Sequence, residues 1–219
     1  SGEVPATGYV PSGVYDADGA DGDDFRTVGG DYYKPTDADY EANCDEARQL
    51  LADAGYPNGE GFPVVEYLYN TSDAHKAVAE ALQFMWEEEL GVKVTLNNQE
   101  WAAFLQTRKD GDYSIARNGW IADYNDPISF LDMWMTGGGN NDAQYANDDY
   151  DALIKQAKTT TDNAERMDLL HQAEDKLIGE DNVLAPLYFY TQKYMLADGI
   201  EGMYYCPLGY FFFGYTHQA

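Results

Sequence analysis

Positive charge, histidine and cysteine are all scarce in this 219-residue sequence, and each shortage removes a class of function. Lys and Arg total 13 against 39 Asp and Glu, a net charge of -26. Such a surface repels phosphate backbones and anionic lipid, so nucleic acid is excluded as a partner, since binding it needs a basic footprint. Two cysteines are present, Cys44 and Cys206, far apart, with no CxxC and no histidine at ligand spacing. That excludes a zinc site and leaves one disulfide or two thiols open. No apolar run approaches the roughly 20 residues that cross a bilayer. The sequence opens at Ser1 without Met, signal segment or lipidation cysteine, as expected of a processed or shortened chain.

Catalytic patterns are missing too. There is no HExxH, GxSxG or P-loop. Gly137-Gly138-Gly139-Asn140 lacks a following Lys-Ser/Thr and reads as a flexible turn. Of the three histidines, His171 falls inside a helical pattern and reads as a surface or packing residue. Carboxylates are so abundant that no pair of them singles out a glycosidase site. Nothing supports an enzyme, a cofactor or a metal. The acidic run Asp16 to Asp24 fails the calcium-loop spacing, because the fifth position falls on Ala20 or Phe25.

What remains is a globular composition, 44% apolar and 24% charged. Residues 1–42 are rich in Gly, Asp, Tyr and Pro and read as a solvated loop. Regular structure begins near Asp45, with a helix stopped by Gly55 and Pro57. Phe62 to Tyr69 reads as a strand and Asp73 to Leu90 as an amphipathic helix ended by Gly91. Val92 to Leu96 reads as a strand, Trp101 to Lys109 as a helix closed by Gly111, and Tyr113 to Ala116 as a strand. This alternation argues for a parallel α/β layer. Helices are expected at Asp148 to Lys158 and Asn163 to Gly179, then strands at Val183 to Tyr190 and Lys193 to Leu196. The aromatic tail, Tyr204 to Tyr215, is expected to pack against something.

The stretch Tyr69-Asn70-Thr71-Ser72-Asp73-Ala74-His75-Lys76, then Asn98-Gln99-Glu100-Trp101, Thr107-Arg108, Ala116-Arg117-Asn118-Gly119-Trp120-Ile121-Ala122-Asp123-Tyr124-Asn125-Asp126-Pro127 and Ser129-Phe130-Leu131, resembles the second lobe of the oligopeptide-binding proteins of peptide ABC transporters. Ala6-Thr7-Gly8-Tyr9-Val10-Pro11 and Pro186-Leu187-Tyr188-Phe189-Tyr190 extend the resemblance over nearly the whole chain. It implies an α/β lobe of the type II periplasmic-binding-protein kind, a mixed sheet flanked by helices. It divides the chain into a loop-rich opening segment (1–42), a peptide-binding lobe (43–200) and a tail (201–219) whose partner is the missing first lobe. It also implies an extracytoplasmic location (periplasm, or cell surface as a lipoprotein), a monomer, short peptides as ligand and a membrane permease as partner.

The resemblance assigns roles as well. Asp123 would receive the ligand's α-ammonium; as a bare loop residue it would instead cap the turn before Asn125 and Pro127. The backbone at Gly119 and Ile121 would pair with the ligand as an added strand. Arg117, Arg108 and His75 are candidates for the α-carboxylate, against an internal ion pair for Arg117 and simple exposure for His75. Trp101 and Trp120 would line side-chain pockets, against core packing. Tyr190 and Asn70 complete the set. Some family members carry a cysteine two residues before the anchoring Asp; here that residue is Ile121, so Cys44 and Cys206 inherit no pairing. Receptors of the same superfamily for dipeptides, nickel complexes or oligosaccharides are one competing reading, and a free-standing interaction module that transports nothing is another; Asp123 argues for a ligand with an amino terminus.

Overall fold

The structure, a computed structural model, describes residues 2–206 and 208–219. Ser1, where the chain opens, and Pro207, within the aromatic tail, lie outside the described residues. The chain divides into two compact units: residues 35–119 with 142–144, and residues 2–34, 120–141 and 145–219 without Pro207.

The first unit is the α/β layer that the alternating pattern predicts. Helix Tyr40–Asp53 leads to strand Val65–Asn70, helix Asp73–Leu90, strand Val94–Gln99, helix Trp101–Asp110 and the short strand Ile115–Ala116. The three strands are parallel, with Val65–Asn70 in the centre; Tyr67 stands opposite Leu96 on one side and Ile115 on the other. A central parallel strand is covered on both faces, which explains why Tyr67, Leu68, Tyr69 and Asn70 are all buried rather than alternating. Tyr67 and Tyr69 pack with Ala79 and Leu82 of helix Asp73–Leu90 and with Val92 and Val94. Helix Trp101–Asp110 also packs on the central strand and buries Phe104 completely. Gly91 ends its helix with φ 68°, and a methyl there would come within 2.2 Å of the Asn58 carbonyl, so glycine is required on both counts.

The second unit has a larger, less periodic core. Val10, Phe25, Leu131, Trp134, Tyr150, Ile154, Leu170 and Leu177 are almost wholly buried there. Helices Asp148–Ala157 and Asn163–Glu174 pack together, and each starts on a side-chain cap: Asn147 accepts from Asp149 and Tyr150, and Asp162 from Glu165. The predicted helix to Gly179 is not uniform, since Asp175–Glu180 is a π-helical turn. It buries Leu177 and Ile178.

The solvated reading of residues 1–42 is corrected. Ala6, Val10, Val14, Asp16, Phe25 and Arg26 are buried, and Phe25–Gly29 is a short helix capped by Asp24. The organising residue is Glu174, which is fully buried. One of its carboxylate oxygens accepts from the backbone N–H groups of Tyr9 and Val10, both at 2.9 Å, and from Arg26 Nη1 at 2.7 Å. His171 Nε2 meets Asp16 at 2.8 Å while its ring stacks on Phe25, and the Tyr32 hydroxyl donates to Asp175. Isolated anchors joined by a buried ion pair leave no periodicity for a sequence reading to find.

The strands expected late in the chain are mostly absent. Val183 to Tyr190 contributes Tyr188–Phe189, paired antiparallel with Val4–Pro5, and Lys193 to Leu196 is not a strand. In the tail, Tyr204–Cys206 pairs with Tyr210–Phe212 and Ile200–Glu201 with His217–Gln218. Its rings pack on one another, as in the Tyr204–Phe212 stack at 4.7 Å, yet Tyr210, Phe213 and Tyr215 stay exposed. Cys44 and Cys206 are both free thiols.

Candidate functional site

In the α/β unit the candidates gather where the central strand ends. Ligands of parallel α/β sheets characteristically sit beyond the carboxyl ends of the strands. Asn70 is the last residue of Val65–Asn70; it is buried, and its side-chain Oδ1 has no hydrogen-bond partner among the described residues. His75 follows in the first turn of the next helix, with Nδ1 3.4 Å from the Asn70 carbonyl. Burial, and then the charge of Arg117, holds the His75 pKa below its ordinary value. The Arg117 N–H donates to the Leu68 carbonyl at 2.8 Å, continuing the parallel pairing beyond Ala116. Asn70, His75 and Arg117 therefore share one end of the sheet.

Arg108 is placed differently. It is 8% exposed, donates to Asp142 through Nε at 3.0 Å and through Nη2, and lies over the Phe104 ring. Its charge is thus engaged inside the unit. Gly119 is exposed, and a methyl there would stand 3.0 Å from Arg117 Nη2, so the glycine leaves room for that guanidinium. Trp101 is 53% exposed with its ring tilted against Phe104 at 5.8 Å, which is a surface platform rather than core.

In the second unit the candidates lie on the loop from Trp120 to Pro127. Trp120 packs part-buried against the core and donates Nε1–H to the Ser129 carbonyl at 2.8 Å. Ile121 is 65% exposed. Asp123 is exposed, and among the described residues its carboxylate accepts no hydrogen bond and joins no ion pair; its backbone N–H donates to Ser129 Oγ at 2.9 Å. The turn-capping role belongs instead to Asp126, which accepts from the Ile128 N–H at 3.0 Å. Asp126 is gripped by Arg166, with Nη1 and Nη2 each 2.8 Å from one carboxylate oxygen. Asn125 accepts from the Tyr15 N–H and donates to the Gly13 carbonyl. Tyr190 is 58% exposed and meets Tyr188 hydroxyl to hydroxyl at 3.3 Å.

Ser129, Arg166, Asn125 and Asp126 escaped the sequence reading as site-building residues. The signals were an Asp-Pro step that starts a turn, and a lone arginine in a helix whose charges are otherwise mostly acidic. Among the described residues, no group of three or more His, Cys, Asp or Glu is arranged to hold a metal, and no helix is long and apolar enough to cross a membrane.

Residues 2–142 match the family described as bacterial extracellular solute-binding proteins, family 5 Middle. The dipeptide-binding protein DppE of Bacillus subtilis is 38% identical over 209 residues, 95% of this chain and 36% of that protein. The periplasmic oligopeptide-binding protein OppA of Salmonella typhimurium is 36% identical over 201 residues, 92% of this chain and 35% of its own length. The crystal structure of Haemophilus influenzae OppA in complex with the peptide RPPGFSPFR superposes with a TM-score of 0.75 at 29% identity, covering 92% of this chain and 37% of that one. The chain thus spans about a third of the length of the curated relatives it matches.

Proposed function

Since this chain belongs to the bacterial extracellular solute-binding proteins, family 5, we propose that it is the peptide-gripping part of an extracytoplasmic receptor that captures short peptides and hands them to the permease of an ABC importer. The observation that carries the reading is the state of Asp123: an exposed carboxylate with no hydrogen-bond or ion-pair partner among the described residues, on a loop held at Trp120, Asn125 and Asp126. A short peptide of arbitrary sequence always offers an α-ammonium, an α-carboxylate and backbone amides. Asp123 takes the ammonium in a charge-assisted hydrogen bond. Arg117 and His75 take the carboxylate, and Arg108, already held by Asp142, supports Arg117 by donating to its carbonyl at 3.4 Å. The backbone around Gly119 and Ile121 pairs with the ligand as an added strand, Trp101, Trp120 and Asn70 line it, and Tyr190 contacts its backbone. Binding and release, not bond chemistry, is the activity, and the receptor acts as a monomer alongside the rest of its own chain.

The test is calorimetry on the full-length protein with tri-, tetra- and penta-alanine, each beside its N-acetylated form. Micromolar or tighter binding of the free peptides, strongly weakened by acetylation, supports the reading. Equal binding of free and acetylated peptides rejects it. The name of DppE favours a second ligand length, the dipeptide, which dialanine in the same titration separates.

A further inference from the structure

A carboxylate that no other described side chain hydrogen-bonds or ion-pairs is placed chiefly by its backbone. What fixes that backbone therefore decides whether Asp123 meets a ligand in the right geometry, since a site loosened by about 1 Å loses much of its advantage. Three ties converge on the loop. Ser129, 4% exposed, accepts the Asp123 N–H on its hydroxyl at 2.9 Å and the Trp120 Nε1–H on its carbonyl at 2.8 Å. Its own N–H donates to the Asp126 carbonyl at 3.1 Å. Arg166 holds both oxygens of Asp126 with its two prongs. Asn125 is fastened to the backbone at Gly13 and Tyr15.

Resting on the peptide-receptor reading, the geometry points to Ser129 and Arg166 as positioning residues that hold the Asp123 loop and thereby set how strongly the protein discriminates for a free amino terminus. Ser129 is too buried to touch a ligand, and its hydroxyl already serves the Asp123 backbone. Arg166 has both outer nitrogens engaged by Asp126, in a planar fork that lysine cannot reproduce.

The discriminating quantity is the ratio of affinities for trialanine and N-acetyl-trialanine, measured on the full-length protein. A residue that acts through Asp123 changes this ratio; one that merely supports the fold weakens both peptides alike. Ser129→Ala removes one hydrogen bond and is expected to weaken trialanine about 3- to 10-fold while leaving the acetylated peptide unchanged. Ser129→Thr keeps the hydroxyl and restores the ratio. Arg166→Lys lowers it in the same sense, and because the Arg166–Asp126 pair is partly exposed, this variant carries the test if Ser129→Ala fails to fold. A wild-type ratio retained in Ser129→Ala and Arg166→Lys, with both peptides weakened equally, overturns the proposal. A ratio near one in the wild type overturns the amino-terminal reading beneath it, which Asp123→Asn distinguishes by then having no effect on trialanine.

Discussion

Glu174 and Asp123 sit in the same unit, carry the same charge and have opposite surroundings. Glu174 is fully buried, with three donors on one oxygen and the Arg26 guanidinium as counter-ion. Asp123 is exposed on a fixed loop with its carboxylate unspent. In a chain with 39 acidic residues, acidity by itself points nowhere; the informative quantity is whether the fold has already supplied each carboxylate with donors. Where it has, the residue organises structure. Where it has not, water supplies the donors, and on a held backbone a ligand's ammonium can take their place.

The sharpest way to break the comparison is on the structural side. Arg26→Met leaves Glu174 buried beside an apolar chain, and removing one partner of a buried pair costs about 3–5 kcal/mol. Thermal or urea unfolding of the full-length protein should show that loss. Replacing Arg26 and Glu174 together should recover part of it, since no uncompensated charge remains. Gly8 belongs to the same arrangement: a methyl there would stand 1.8 Å from Arg26 Nη1, so alanine must displace the guanidinium.

Arg108 comes next in size. Its two-pronged contact with Asp142 is mostly buried, and hydrogen bonds to charged groups contribute about 1.5–3 kcal/mol. Arg108→Gln is therefore expected to lower the unfolding free energy by that order while changing trialanine affinity less than Arg117→Gln does. Parallel denaturation and calorimetry on the two variants check the ranking; a larger affinity loss for Arg108→Gln would make it a direct ligand contact.

His75 gives the smallest effect. Burial and the neighbouring Arg117 depress its folded pKa, so the folded protein favours the neutral ring. The stability tied to that preference is present above the unfolded value, about 6.5, and is lost as pH falls through the folded pKa. Urea unfolding between pH 7.5 and 5 should show wild type losing more stability on acidification than His75→Gln; identical slopes would remove the cause assigned to the shift.

How legible this molecule was differs between its two units for a physical reason. Helix Asp73–Leu90 was readable to the residue, because eighteen residues of one apolar stripe end on a glycine that alone tolerates its conformation. The parallel layer followed from strand and helix alternation. In the other unit the segment before Lys34 is anchored by single residues, Val10, Phe25 and Arg26, upon a helix more than a hundred positions away. No local pattern encodes such contacts. The late strands are short for a similar reason: Val183 to Leu196 has strand composition, but Tyr188–Phe189 is its one strand, paired with Val4–Pro5. Asp123, Arg117 and His75 were named through family resemblance. The residues that fasten the loop are ordinary in type, Ser129 six positions beyond Asp123 and Arg166 forty beyond Asp126, and only their hydrogen bonds reveal the role.

Whether Asp123 anchors a ligand's amino terminus is decided by a double-mutant cycle. Asp123→Asn in the full-length protein is combined with N-acetylation of trialanine, which removes the matching charge from the other side. The amide is nearly isosteric, so the loop stays in place. Either change alone is expected to weaken binding by about 10²-fold or more, the second to add little once the first is made, and melting to stay unaltered. Independent, additive losses, or equal affinity of wild type for the free and the acetylated peptide, would contradict the anchoring.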